Sequence, residues 1–345
     1  MIYIGMDIQK YISTAVAIDD NEKIIAQHID FKTNDETLDE VIGNYPVEGT
    51  EILIENLTVA HRVYHHLVRK GYKVMVIHTG NGCVTEIANS QYKCDLTDAQ
   101  KLAVICKDII TGRRTYRMTH IPSENEMKAK SLCRVLNDFS EQATRINLQI
   151  QEYMNLWNLK LPDGMKGFTS RKALKHMSSL SDHPTLQKYA DHVSYLQDEI
   201  KDIKARLDVL YKDNEDFRIL RSIRGVSTQT AATVISSVGR IERFDSPEKL
   251  SSHFGLNLTR NASGGVEGGR HITKQGDPIV RKLLANVVLH VVKYYPKSDI
   301  AEFYRRMKSR KSHWDAVTAT MRKLTHAIWA MLTRKQPFRC VGVGA

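Results

Sequence analysis

The sequence lacks the features of a membrane or exported protein. No apolar run approaches the roughly 20 residues that a membrane-spanning helix needs. The opening stretch, residues 1–10, places Asp7 where a signal peptide would continue its apolar segment. We therefore expect a soluble, cytoplasmic protein without a membrane partner.

Cysteine is also scarce. Five cysteines are spread along the chain, and no two of them form a Cys-x-x-Cys pair. Their odd number and wide spacing argue against a disulfide framework and against a structural zinc site. The thiols are predicted to be free.

The overall composition is that of a globular protein. With 42% hydrophobic and 26% charged residues, a mostly disordered, collagen-like or low-complexity chain is excluded. A chain of 345 residues exceeds what one hydrophobic core usually covers, so two or three domains are expected.

Charge is unevenly distributed along the chain. Residues 1–112 contain 10 Lys and Arg against 16 Asp and Glu, a net charge near −6, whereas the remainder contains 40 against 23, near +17. A basic rear behind an acidic front is typical of a nucleic-acid-binding protein that carries an acidic centre. Lys-rich solvated helix faces are the alternative explanation.

Strand patterns dominate the front of the chain. Apolar segments of β type come first, and strands then alternate with helices. This order predicts an α/β domain with antiparallel strands first and parallel members after. The predicted strands are 2–8, 11–19, 24–31, 51–55 and 73–77, and the predicted helices are 37–42, 60–69 and 96–110.

The pattern beyond residue 120 is helical. Two long helices are predicted over 124–157 and 186–211, separated by a Gly- and Ser-containing loop or flexible connector over 161–184. Apolar residues of the second helix recur at steps of three and four, which indicates a coiled-coil seam or, alternatively, an ordinary amphipathic helix. Three further helices are predicted over 279–294, 299–310 and 314–332.

Two segments of the rear half are candidates for nucleic-acid contact. Residues 216–240 fit a helix-hairpin-helix unit in which Arg224 and Gly225 form the turn, and such a unit offers backbone N–H groups to phosphate. A purely structural helical turn is the alternative. The Gly-rich stretch 255–276 is either a flexible turn or a close approach to a ligand, and Lys274, Arg281 and Lys282 add basic side chains in or just after it.

Four acids of the front domain form the candidate metal site. Asp7 and Glu55 end apolar strands, and Asp95 and Asp98, three residues apart, share a face at the start of a helix. Hard carboxylate oxygens suit Mg²⁺ or Mn²⁺, and two such ions support phosphoryl transfer. Each acid alone is also compatible with a turn or a helix cap. An actin-like or sugar-kinase ATPase is disfavoured because no glycine follows Asp7 in Ile8-Gln9-Lys10.

These motifs resemble a known family. The front motifs are Gly5-Met6-Asp7, Ile54-Glu55 and Asp95-Leu96-Thr97-Asp98-Ala99, and the rear motifs are Ile223-Arg224-Gly225-Val226, Phe254-Gly255-Leu256, Ser263-Gly264 and Ile272-Thr273-Lys274-Gln275-Gly276-Asp277 followed by Arg281. Together they resemble the DEDD transposases of the insertion sequence 110 family, the bridge-RNA-guided recombinases. The sequence departs from the family pattern at Asn56-Leu57-Thr58 and in Leu256-Asn257-Leu258-Thr259.

The resemblance implies a three-part organisation. It implies a RuvC-like (ribonuclease-H-like) metal-binding domain with a trailing helix over 1–155, a helical coiled-coil segment over 156–215 and a mainly α transposase domain over 216–345. It further implies Mg²⁺ at Asp7, Glu55, Asp95 and Asp98 and a serine nucleophile at Ser263, which by turn chemistry alone would be a loop serine. The implied partners are donor and target double-stranded DNA, a structured non-coding guide RNA and further copies of the chain in a dimer or tetramer.

Two other functions remain open at this point. A metal-dependent RuvC-like junction resolvase or structure-specific nuclease would use the same four acids with water as the nucleophile. A catalytically silent nucleic-acid scaffold would use neither. A covalent protein–DNA adduct separates the recombinase from the nuclease, and Mg²⁺-dependent strand breakage excludes the scaffold.

Overall fold

The computed structural model describes residues 1–57, 59–77, 95–116, 118–165, 167–257 and 272–338, together with the backbone of 262–263 and 266–267. The chain divides into two compact units, Met1–Ser123 and Glu124–Ala345. The three functional domains expected from the sequence remain a prediction.

The front unit is built on a mixed sheet. Among its described residues five strands lie in the order β3-β2-β1-β4-β5. β1 pairs antiparallel with β2 and parallel with β4, and β4 pairs parallel with β5, so the predicted α/β arrangement is confirmed. The strands are β1 (Ile2–Ile8), β2 (Ile12–Ile18), β3 (Ile24–Lys32), β4 (Thr50–Glu55) and β5 (Lys73–Ile77).

Helices cover the two faces of this sheet. They are α1 (Asp35–Ile42), α2 (Ala60–Arg69) and α3 (Asp95–Ile110). One core joins α1 and α2 to Ile4, Met6 and Ile54, and a second joins α3 to Tyr3 and Leu53. Because strand side chains alternate between faces, Asp7 and Glu55 fall on the α3 face with Tyr3 and Leu53.

The rear unit is mostly helical, as expected. Its helices are α4 (Glu124–Leu156), α5 (Arg171–Ser178), α6 (Pro184–Leu210), α7 (Glu215–Arg221), α8 (Thr228–Val238), α9 (Pro247–His253), α10 (Pro278–Tyr294), α11 (Asp299–Lys308) and α12 (His313–Arg334). The described residues of this unit also include a 3₁₀ turn (Ile241–Arg243) and two short antiparallel strands, β6 (Ala262–Ser263) and β7 (Val266–Glu267). In the part of the chain that the structure describes, no helix has the length and apolarity needed to cross a membrane.

α4 and α6 form an antiparallel helical pair. Met154 near the end of α4 shares a core with Leu186 at the start of α6, whereas Cys133 near the start of α4 shares one with Leu207 near the end of α6. Cys133 is a free, buried thiol.

The connector predicted over 161–184 contains a helix that the sequence pattern did not indicate. Ser170 caps α5 by accepting a hydrogen bond from Ala173 N, and Ala173, Leu174 and Met177 are buried against α4 and α6. These three apolar residues complete a core that the two long helices leave open. Their burial stabilises the helix although turn-forming glycines precede it.

Candidate active site

Asp7 and Glu55 lie side by side at the ends of two parallel strands. The register of β1 against β4 pairs Met6 with Ile54, which puts Asp7 and Glu55 one step further at the carboxyl edge. Both residues are half-buried. Topology therefore brings these two predicted ligands together.

Asp95 and Asp98 occupy the first turn of α3. A helix N-terminus stabilises negative charge, so two carboxylates can be held there. Gln9 Nε2 donates to Asp95 Oδ2 at 3.1 Å, and Lys101 Nζ lies 3.4 Å from Asp98 Oδ1. No sequence motif indicates Gln9 as a site residue. In the sequence, the stretch Ile8-Gln9-Lys10 shows only that the glycine of a phosphate-binding turn is absent.

Gly5 explains how α3 comes close enough to β1. A β-carbon on Gly5 would lie less than 3.0 Å from backbone atoms of Ala99, Leu102 and Ala103. Only a glycine lets the helix pack directly on the strand here. The Gly5-Met6-Asp7 motif thus combines a packing residue with a carboxylate two residues later.

The electrostatics of Asp7 show that three of the acids act on one another. Burial and the charges of Asp95 and Asp98 together raise the pKa of Asp7 to about 6, while the hydrogen bond with Gln9 opposes the shift. Buried carboxylates with like-charged neighbours resist ionisation unless a cation joins them.

This donor set fits a divalent cation. Carboxylate oxygens are the ligands that Mg²⁺ and Mn²⁺ prefer, and the raised pKa of Asp7 marks a deficit of positive charge. Among the described residues no three His, Cys, Asp or Glu side chains are already gathered into a metal-binding group. Asp7, Asp95 and Asp98 are close enough to interact electrostatically, and binding a cation by the set would require the acids to converge further.

The segment predicted as a helix-hairpin-helix unit contains two helices joined by a turn in the structure. α7 and α8 flank Gly225, whose φ of 86° is the left-handed conformation that favours glycine, and Ser227 caps α8. The guanidinium of Arg224 lies 5.1 Å from the centre of the Tyr295 ring. The turn is packed on α10, and phosphate binding by Arg224 and Gly225 stays a prediction.

Ser263 lies in β6, where it pairs with Val266. Its side chain and residues 264–265 and 268–271 are outside the described residues. Its predicted role as a nucleophile is therefore not tested by the geometry.

Residues 254–257 and 273–276 flank the segment that carries Ser263, and these two stretches together form its foot. Thr273 N donates to Asn257 O at 2.8 Å, and Lys274 N donates to Gly255 O at 3.1 Å. Gly255 has a φ of 69°, and a β-carbon there would lie less than 3.0 Å from the Gln275 backbone. Two chain segments thus run in close contact at the base of the segment that carries the serine.

The predicted basic contacts have protein partners in the structure. Arg281 Nη1 donates to Phe254 O and Gly276 O, each at 3.0 Å, so it holds both sides of the foot of this segment. Lys282 Nζ donates to Glu141 Oε1 at 2.7 Å on α4. Contacts of Arg281, Lys282 and Lys274 with nucleic acid remain predictions.

Comparison with known proteins decides the family. A model of the DEDD transposases of the IS110 type matches residues 4–158, and a model described as Transposase IS116/IS110/IS902 family matches residues 217–305. Together they cover more than half of the chain. The chain belongs to the DEDD transposases of the IS110 family.

Curated relatives agree with this assignment. The transposase for insertion sequence element IS1111A of Coxiella burnetii is 26% identical over 278 residues, which cover 76% of this chain and 74% of the relative. The transposase for insertion sequence element IS1328 of Yersinia enterocolitica is 22% identical over 298 residues, covering 83% and 85%.

Family membership sets the chemistry of this transposase in outline. It is an insertion-sequence enzyme that cuts and recombines DNA, its mixed α/β front unit is consistent with a ribonuclease-H-like fold, and the family implies use of a divalent metal. The front match contains all four predicted acids, and the rear match contains Ser263.

Proposed function

We propose that this transposase is an RNA-guided DNA recombinase. In this proposal Asp7, Glu55, Asp95 and Asp98 hold Mg²⁺, which Mn²⁺ can replace, and Ser263 is the nucleophile. The metal site in this proposal is best supported by the strand register that brings Asp7 beside Glu55, together with the charges of Asp95 and Asp98, which lie near enough to raise the pKa of Asp7.

The proposed reaction is a phosphoryl transfer to serine. The Ser263 oxygen forms a bond to phosphorus as one sugar oxygen of the DNA backbone leaves, and the serine proton passes to a base or to solvent. When bound, the divalent ions would supply charge stabilisation for the attacking and leaving oxygens. The phosphoserine link conserves the bond for religation, so strand exchange needs no external energy source.

RNA guidance is the second part of the proposal. A structured non-coding RNA would pair with donor and target DNA, so that base pairing and not side-chain contact selects the sequence. The net charge near +17 after residue 112 supports binding of several phosphate backbones. We also propose that residues 156–215, with α6 as their long helix, serve as the coiled-coil segment, that the active form is a dimer or tetramer, and that it works in the cytoplasm.

A metal-dependent junction resolvase or structure-specific nuclease is the alternative. It is favoured by the same acid cluster, which can activate water without any serine. A hydrolase releases free DNA ends, whereas the recombinase retains them on the protein.

The acid cluster is tested by recombination assays with Mg²⁺. Asp7→Ala, Glu55→Ala, Asp95→Ala and Asp98→Ala should each abolish recombination in a folded protein, because each removes a metal ligand. The matched control is Glu40→Ala, an exposed acid on α1 across the sheet, which should recombine normally. Normal recombination by Asp98→Ala would remove that residue from the site.

RNA guidance is tested by the RNA that co-purifies at low salt. The non-coding transcript of the element should be strongly enriched over cellular RNA. Recovery of random cellular RNA alone would contradict guidance and leave the structure-specific nuclease as the better proposal.

A further inference from the structure

A groove lies between α11 and α12 in the rear unit. Its cavity has a volume of about 660 Å³. Its walls combine apolar surface with cationic groups. The lining residues are Phe303, Ala319, Arg322, Lys323, His326 and Ala327.

Cations surround the aromatic ring of this groove. The guanidinium carbon of Arg306 lies 5.3 Å from the centre of the Phe303 ring, and Lys323 Nζ lies 4.7 Å from it. Such cation–π contacts hold both charged groups beside the groove. The position of two flexible side chains is thereby restricted next to Arg322.

These cations are not neutralised by ion pairs. Within the described residues, no carboxylate oxygen lies within 4.0 Å of the charged nitrogens of Arg306, Arg322 or Lys323, whereas Lys107 and Lys335 in other parts of the chain each pair with an acid. Residues 299–334, which exclude the paired Lys335, contain eight Lys and Arg against three Asp and Glu. The groove therefore carries uncompensated positive charge.

Glu248, an exposed residue on α9, is an acid whose pKa is affected by cations of the groove. Hydrogen bonds from its own backbone N–H and from Ser246 lower the pKa of Glu248, and the charges of His326 and Arg322 lower it further. One exposed carboxylate does not balance the cations of the two helices, because solvent screens it.

Two nitrogen atoms of the lining residues also lack a hydrogen-bond partner. Arg322 Nε and His326 Nε2 are buried without a hydrogen-bond partner in the structure. They stand four residues apart on α12, so they lie one above the other on the same face. The Nε–H of Arg322 is a buried donor without an acceptor, which is costly, and an anion with several oxygens would supply the missing acceptor.

We infer that the α11–α12 groove binds the sugar–phosphate backbone of the DNA substrate. The cationic residues of the groove suit phosphates, and its apolar residues Phe303, Ala319 and Ala327 suit the sugar. DNA is favoured because cutting DNA is the activity of the family. Phe303 on α11 lies inside the rear family match, which ends at residue 305, whereas α12 lies outside both matches.

The inference is tested by binding of a labelled duplex of about 30 base pairs over a range of salt concentrations. The triple variant Arg306→Gln/Arg322→Gln/Lys323→Gln should bind about tenfold more weakly, and its plot of log Kd against log salt should be shallower by roughly 0.9 for each phosphate that is no longer neutralised. The matched control is Lys172→Gln/Lys175→Gln/Lys201→Gln, which removes the same charge from exposed positions on α5 and α6. Its affinity should stay within about twofold of wild type.

Three results would overturn the inference. The first is normal DNA binding by the triple variant, and the second is an equal loss of binding in the control. The third is a loss that affects only the binding of a single-stranded RNA of the same length. Arg322 is half-buried, so its replacement can also affect folding. The double variant Arg306→Gln/Lys323→Gln changes only exposed residues and repeats the test, with the melting temperature measured as a check on folding. About half of the loss in binding free energy is expected from it. These outcomes do not depend on the serine mechanism, which can fail while the groove still binds DNA.

Discussion

At the scale of single residues, the protonation of Asp7 is the most informative property of the front unit. Its pKa is raised to about 6 in the folded protein, above the ordinary value of 3.8. The folded state thus holds this proton more tightly than the unfolded chain. Stability associated with Asp7 is therefore lost as the pH rises from about 4 to about 6, and a bound cation would restore it.

Replacing Asp7 with asparagine should remove this pH dependence. In EDTA at neutral pH, Asp7→Asn should melt at a higher temperature than wild type, because the destabilising buried charge is gone. Mg²⁺ should raise the melting temperature of wild type but change that of Asp7→Asn much less. A lower melting temperature for Asp7→Asn than for wild type in EDTA would show that the carboxylate is stabilised by partners other than a cation.

At the scale of secondary-structure elements, the contact of β1 with α3 controls the spacing of the acids. Gly5→Ala would insert a methyl group between the strand and the backbone of α3, where no space exists. We expect a loss of about 1–3 kcal/mol in the free energy of unfolding from overpacking. Metal-dependent stabilisation should fall as well, because α3 carries Asp95 and Asp98. Gly112→Ala is the control. Gly112 has a left-handed φ and open space around it, so its replacement measures the backbone strain of losing a glycine without any overpacking.

The foot of the Ser263 segment provides a second test at this scale. Arg281→Gln removes the charged donor that joins Phe254 O to Gly276 O, and we expect the free energy of unfolding to fall by roughly 1–3 kcal/mol. If the role of Arg281 is structural, the salt dependence of DNA binding should be unchanged in the variant. A salt slope shallower by about one, with normal stability, would instead show that Arg281 contacts a phosphate.

The sequence predicts the elements of the front unit well, for a physical reason. Each strand or helix there carries a clear period of apolar residues, so Ala60–Arg69 and Lys73–Ile77 are predicted with the bounds that the structure shows. α5 is not predicted because its apolar residues are few. They are buried against residues of α4 and α6 that lie elsewhere in the sequence, so the local pattern does not show this core. Partnerships such as that of Gln9 with Asp95 also depend on tertiary contact and leave no local signal.

At the scale of the whole molecule, the separation of charge predicts how nucleic acid is bound. The chain carries a formal net charge of +11, and the excess lies after residue 112. Association with RNA and with DNA should therefore weaken steeply with salt, by on the order of a thousandfold between low and moderate ionic strength if six or more phosphates are contacted. Filter binding at several salt concentrations measures this, and an affinity insensitive to salt would contradict a phosphate-dominated interface.

The covalent link to DNA is the most direct test of the proposed recombinase. Labelled target DNA is incubated with the protein, guide RNA and Mg²⁺, and the products are separated by denaturing electrophoresis. Wild type should give a shifted band that protease removes, and Ser263→Ala should bind DNA without giving it. Ser251→Ala and Ser252→Ala on α9 are the matched controls and should keep the band, since the Ser251 hydroxyl is buried without a partner and Ser252 is exposed. A band from Ser263→Ala would refute the assignment of the serine, and cleavage by wild type without any such band would show that the enzyme hydrolyses DNA instead of recombining it through a serine.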